Sequence, residues 1–124
     1  MLGDSTISHM LLAGDTYRGD WMRDERHGVG DYEGADGFKY AGEWSNGKRH
    51  GKGVCVEVDG SKYDGGWYQG KRQGKGFMVA VDGSTYDGEW RNDQKSGRGI
   101  LFSQDGKRYD GNANHDKSNI NLRN

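Results

Sequence analysis

The stretch that decides the fold is residues 40–63, YAGEWSNGKRHGKGVCVEVDGSKY. Side chains on a strand alternate between faces with period 2. Tyr40, Gly42 and Trp44 therefore share one face, and Ala41 and Glu43 the other. The polar run Asn46-Gly47-Lys48-Arg49-His50-Gly51 suits a reversal of direction. A second strand follows, with Gly51 and Gly53 and then Val54, Val56 and Val58 in alternation. It closes at Asp59-Gly60, a dipeptide favoured in two-residue hairpin turns, where both positions need positive φ. The segment reads as one β-hairpin.

The same hairpin is written along most of the chain. Tyrosine returns every 23 residues, at Tyr17, Tyr40, Tyr63, Tyr86 and Tyr109. Trp21, Trp44, Trp67 and Trp90 follow the first four tyrosines by four residues, with Gly19, Gly42, Gly65 and Gly88 midway. Asp-Gly recurs at Asp36-Gly37, Asp82-Gly83 and Asp105-Gly106. A fixed period in this range marks a repeat architecture in which each unit leans on its neighbours. The expected fold is all-β, a single elongated, twisted antiparallel meander. About nine strands at ~4.8 Å spacing give a ribbon roughly 40 Å long. The glycine pairs Gly28/Gly30, Gly51/Gly53, Gly74/Gly76 and Gly97/Gly99 lie where a neighbouring strand faces Trp and Tyr. Their missing Cβ would let the rings lie across the adjacent backbone.

The repeats divide the chain. Residues 1–16 read as an N-terminal half-repeat or cap, with Ser5–Leu12 in the register of a second strand. Residues 17–111 are the array, with starts at 17, 40, 63 and 86 and a degenerate start at 109. Residues 112–124 form a tail or cap, where Ala113 replaces the tryptophan and Ile120 and Leu122 stand in glycine positions.

Composition narrows the function. Leu, Ile, Val and Phe make up only 17 of 124 residues, a level associated with disorder. Against that stand the near-neutral net charge of −1 and the periodic aromatics, which together indicate a thin folded sheet without a deep core. Cys55 is the single cysteine, so no intramolecular disulfide forms, and it reads as a small side chain on a strand. No apolar run approaches the ~18 residues that span a bilayer, and no signal peptide is discernible. The expectation is a soluble, cytoplasmic protein, associated with cytoskeleton or membrane.

The pattern Y-x-G-x-W-x-x-G-K-x-H-G-x-G, closed by D-G-x-x-Y, resembles the MORN (membrane occupation and recognition nexus) repeat. Residues 40–53 match at every named position, and residues 63–76 match except at Gln73. Residues 17–30 keep the aromatic–glycine frame and His27, with Asp24-Glu25 in place of Gly-Lys, and residues 86–99 carry Asp93 and Ser96 at weaker positions. The resemblance covers roughly residues 13–111. It implies a scaffold or regulatory array, since similar repeats occur in cytoskeletal scaffolds, radial-spoke heads, junctional membrane proteins and lipid-kinase regulatory regions.

Two surfaces are candidates for binding. The Tyr/Trp face (Tyr17, Trp21, Tyr40, Trp44, Tyr63, Trp67, Tyr86 and Trp90) forms an expected groove for a protein partner, because aromatics are enriched at binding hot spots. The Trp-side connections carry a net charge of +8 and the Asp-Gly side −5. Lys48, Arg49, Lys52, Lys71, Arg72 and Lys75 on the basic edge are candidates for anionic lipid headgroups, although charges also protect exposed sheet margins. The opposite face offers Val54, Val56, Val58, Phe77, Val79 and Val81, a stripe that a homodimer would cover if no bulge breaks the alternation. Nothing points to catalysis. His27 and His50 sit in repeat register within turns, His9 and His115 have no obvious metal-ligand partners, and no cofactor or phosphate cradle is discernible. Nucleic-acid binding is disfavoured because aromatic and basic residues occupy different parts of the repeat and the pI is about 6.4. The leading expectation is a non-catalytic protein-binding scaffold. The alternatives are peripheral attachment to anionic membranes and the regulatory array of a larger enzyme.

Overall fold

The computed structural model describes residues 7–10 and 14–112. They form one ten-stranded antiparallel sheet in sequence order: β1 (Ile7–Met10), β2 (Thr16–Met22), β3 (Glu25–Glu33), β4 (Lys39–Ser45), β5 (Lys48–Val56), β6 (Lys62–Tyr68), β7 (Lys71–Val79), β8 (Thr85–Arg91), β9 (Gln94–Phe102) and β10 (Arg108–Asn112). Strand β1 pairs with β2 through Ile7↔Gly19 to Met10↔Thr16. Ala113, His115, Ile120 and Leu122 lie outside the described residues.

The turns are distributed differently from the expectation, and backbone dihedrals show why. At Asp59-Gly60 only Gly60 has positive φ. Glu57 and Ser61 close the hairpin, with the Glu57 amide donating to the Ser61 carbonyl and the Gly60 amide to the Glu57 carbonyl. The loop is thus three residues long with a left-handed glycine last, the second common hairpin type. Asp59 holds it by accepting from the Ser61 amide at 2.9 Å, an Asx-type bond that Asp36, Asp82 and Asp105 repeat. Val58 and Val81 consequently sit in turns, not on strands.

The two-residue turns with both φ positive lie on the other long edge, at Arg23-Asp24, Asn46-Gly47, Gln69-Gly70 and Asn92-Asp93. There the connection is far shorter than the six residues read from sequence. Strand β5 already begins at Lys48. Beyond that turn the register slips between Gly19 and Trp21, Gly42 and Trp44, Gly65 and Trp67, and between Gly88 and Glu89. The simple alternation is therefore broken once per repeat by a bulge, which Gly28, Gly51, Gly74 and Gly97 enter with positive φ.

The core is a single row of rings on one face. Tyr17, Tyr40, Tyr63 and Tyr86 are buried, as are Trp44, Trp67, Trp90 and Cys55. Tyr17, Tyr40 and Tyr63 each meet the tryptophan of their own repeat and that of the next edge-on, and Tyr86 meets that of its own. Tyr40 lies 5.0 Å from Trp44 and 5.4 Å from Trp67, at 83° and 88°. Such T-shaped pairs add about 0.5–1.5 kcal/mol beyond area burial. The chain of contacts runs unbroken from Trp21 to Tyr86. The polar ends of the four tyrosines and of Trp44, Trp67 and Trp90 are satisfied by backbone. The Tyr40 hydroxyl donates to the Glu43 carbonyl at 2.8 Å, and the Trp67 Nε1 to the Gly53 carbonyl at 3.0 Å.

Glycine makes room for this. A Cβ on Gly53 would fall 2.1 Å from the Tyr40 hydroxyl, and Gly30, Gly76 and Gly99 stand in the same relation to Tyr17, Tyr63 and Tyr86. The second glycine of each pair thus does what the sequence implied. The first does not: a Cβ on Gly51 would meet the Glu43 side chain on the opposite face, so that glycine serves the bulge.

Candidate functional site

Strands β3, β5 and β7 each open just after a two-residue turn, and this places Arg26, Arg49 and Arg72 on the ring face, one repeat apart. Each guanidinium covers the tryptophan of the following repeat: Arg26 lies 4.8 Å above Trp44, Arg49 4.7 Å above Trp67 and Arg72 4.7 Å above Trp90. The Nη2 atoms donate to the turn carbonyls of Gly47, Gly70 and Asp93 at 3.3, 3.2 and 3.0 Å. In return the amides of Gly47, Gly70 and Asp93 donate to the backbone carbonyls of the same three arginines. The fourth repeat has Lys95 there, with its Nζ 5.4 Å from the Tyr86 ring. Burial, with Arg72 nearby adding to it, pushes the Lys95 ammonium below its ordinary range.

The histidine register belongs to the same joint. The Gln69 amide donates to His50 Nδ1 at 3.5 Å, and one repeat later the Asn92 amide donates to Gln73 Oε1 at 3.1 Å. A glutamine replaces histidine there without loss because both present an acceptor at that point. Arg72 gains one more partner. Asp93 Oδ1 accepts from both its Nε and its backbone amide, at 3.0 and 2.9 Å. Burial would push the Asp93 carboxyl up, but these bonds and the charge of Arg72 outweigh it and hold the group below its ordinary value.

Between the arginines runs an open groove of about 740 Å³, bounded by Tyr32, Phe38, Trp44 and Trp67, with Glu57 and Asp93 contributing carboxylates. The eight expected groove residues therefore divide. The tyrosines and tryptophans are the packed floor, with Trp44 and Trp67 reaching the groove wall and the tyrosines fully covered. Arg26, Phe38 and Tyr32, which the sequence reading left aside, supply much of the accessible lining. The signal for Arg26 was present, since a cation recurs every 23 residues at positions 26, 49, 72 and 95.

The six lysines and arginines expected on one basic edge are also dispersed. Arg49 and Arg72 lie in the groove, and Lys48 lies on its rim. Lys52 and Lys75 are exposed on the opposite face, paired with Gly66 and Glu89, and Lys71 is exposed at the start of β7. Cys55 is fully buried, and burial, with Glu57 adding to it, pushes its thiol up to about 12. That excludes a ready thiolate at neutral pH. No group of three or more His, Cys, Asp or Glu side chains among the described residues is placed to hold a metal. No helix among them is long and apolar enough to cross a membrane.

A single-layer sheet whose 23-residue hairpins are joined by ring-to-ring and cation-to-ring contacts defines a solenoid-like β-repeat protein. The MORN repeat family model matches it four consecutive times, over residues 17–39, 40–62, 63–85 and 86–108. The chain belongs to the MORN-repeat family. No match was found among curated proteins. The MORN repeat is in general non-catalytic and is found in scaffolds that bind proteins or membranes.

Proposed function

We propose that this chain is a non-catalytic scaffold that holds a segment of a partner protein along the arginine-bridged groove. One observation carries the reading: three guanidinium groups at one-repeat intervals line a groove that also exposes Phe38, Tyr32 and the margins of Trp44 and Trp67. Adjacent equivalent positions are two strands, about 9.6 Å, apart. A segment carrying apolar side chains interspersed with carboxylates complements both the ring edges and the cations. Aromatic and arginine side chains of this kind are the usual hot-spot residues. A cytoplasmic, cytoskeleton-associated setting accords with this role.

The test is reconstitution of the chain with a purified partner, measured by calorimetry, for the native protein and for the Phe38→Ser and Arg26→Ser variants. A binding loss of roughly tenfold or more per variant, with the melting transition retained, supports the groove. Unchanged affinity in both variants rejects it.

Attachment to an anionic bilayer is a second reading, supported by the exposed Lys48 and Lys71 beside neighbouring turns on one edge. Co-sedimentation with anionic liposomes that survives physiological salt supports that reading. Binding confined to low salt is generic electrostatics and rejects it.

A further inference from the structure

The face opposite the rings is organised into rows by the strand register. One row reads Lys39, Val56, Lys62, Val79, Thr85, Phe102, Arg108 across β4 to β10. The next reads Ala41, Val54, Asp64, Phe77, Asp87, Ile100, Asp110. Beyond Ala41 both rows alternate. The odd strands supply only apolar side chains. The even strands supply lysine, threonine and arginine to the first row and, beyond Ala41, aspartate to the second. Phe77 and Phe102 are 43% and 44% exposed, so among the described residues nothing covers this surface.

From this pattern we infer that the back face is a self-complementary dimer interface, formed by a second copy of the chain stacked sheet to sheet with the ribbons running the same way. A two-fold axis along the ribbon, passing between the two rows, lays the first row of one copy on the second row of the other. Lys62 then faces Asp64 of the second copy, a pair that occurs twice. Val56 meets Val54, Val79 meets Phe77, and Phe102 meets Ile100. The alternative axis, along the strands, sets aspartate row on aspartate row and lysine row on lysine row, which like-charge repulsion opposes. The charge pattern therefore selects one of the two aligned stackings open to paired sheets.

The extent is adequate. Seven strands span roughly 29 Å and seven-residue strands about 23 Å. A pair of such faces covers on the order of 1,300 Å², inside the ~1,200–2,000 Å² of specific interfaces. The match ends at β3, where Glu33 and Asp31 are both acidic. A net charge of −1 leaves little overall repulsion to oppose pairing. The groove faces outward in both copies, so this interface is independent of the function proposed above.

Sedimentation velocity of the full chain over a dilution series tests the inference. The native chain is expected to dimerise reversibly. Lys62→Asp and Asp64→Lys, each placing like charges face to face twice, should raise the dissociation constant roughly tenfold or more. The double variant Lys62→Asp/Asp64→Lys restores opposite charges and should dimerise again. Phe77→Ser, at an exposed side chain, should also weaken the dimer. Near-ultraviolet circular dichroism confirms the ring row in each variant. A native chain that stays monomeric at all concentrations overturns the proposal. So does a dimer indifferent to the single substitutions, which would assign association to the sheet edges or the groove, or a folded double variant that fails to recover.

Discussion

Arg49 of one repeat caps the Trp67 indole of the next at 4.7 Å while its Nη2 donates to the Gly70 carbonyl at 3.2 Å. The same side chain thus shields the apolar row from water and ties the turn of the following hairpin to the strand before it. In a stack where each unit touches only its neighbours, stability is carried by such joints.

Removing that joint should cost more than removing an exposed charge. A partly desolvated cation–π contact contributes about 1–2 kcal/mol, so Arg49→Ala is expected to lower the melting temperature by roughly 5–10 °C. Arg49→Lys should recover only part of this, because an ammonium cannot present a planar face to the indole and a forked donor to Gly70 together. Arg98→Ala, at an exposed back-face position, is the control and should shift the transition little. Thermal melts of the three variants check the order.

The glycines make a contrasting pair of substitutions. In Gly53→Ala the new methyl falls 2.1 Å from the Tyr40 hydroxyl and 2.3 Å from its ring. A buried ring hemmed in by Trp44 and Trp67 must shift, so a loss of about 1–3 kcal/mol is expected. In Gly83→Ala nothing lies within 4 Å of the methyl, and only the positive φ of 93° is penalised, at about 1–2 kcal/mol. Urea unfolding measures both losses, and the spectrum separates their causes: only Gly53→Ala should alter the near-ultraviolet signal of the aromatic row.

Much of this was legible beforehand. The strands, their order and the fit of Gly53 against Tyr40 follow from period 2 within period 23. What sequence concealed was the length of one connection. Reading Asn46 to Gly51 as loop placed Arg49 with Lys48 on an edge, whereas a two-residue turn at Asn46-Gly47 puts Arg49 in strand, on the ring face. Positive φ decided it: Asn46 tolerates the left-handed region, while Asp59 uses its carboxylate for an Asx bond instead. The back-face pattern was half visible, since Val54 and Phe77 could be seen but their alternation with Asp64 and Asp87 required the register.

Alkali should unfold the array through its tyrosines. Burial pushes the Tyr17 and Tyr63 hydroxyls up to about 12, with Asp20 adding to the effect at Tyr17, and it raises Tyr40 and Tyr86 in the same direction. A group whose proton is held more tightly in the fold contributes stability that is complete below the unfolded value of 10 and is lost as pH climbs through the folded one. Stability is therefore expected to decline above pH 10 and collapse near 12. Tyrosinate absorbance should appear in one cooperative step with loss of the near-ultraviolet signal. Independent ionisation of the four hydroxyls before unfolding would contradict the shared burial.

At the acid end the test falls on Asp93. Its carboxyl is held below the ordinary 3.8 because the Arg72 bonds outweigh the burial that would raise it. A depressed carboxylate contributes stability that is fully present above its unfolded value and disappears as pH falls through the folded one. Asp93→Asn should therefore be less stable than the native chain at pH 7, and the difference should shrink as pH drops below about 4. Because the two groups are 21% and 45% exposed, salt should reduce the gap at neutral pH. Urea midpoints measured across that range, at low and high salt, check the sign. A gap that persists unchanged at the lowest pH would show that the amide fails at Asp93 for reasons of shape, not charge.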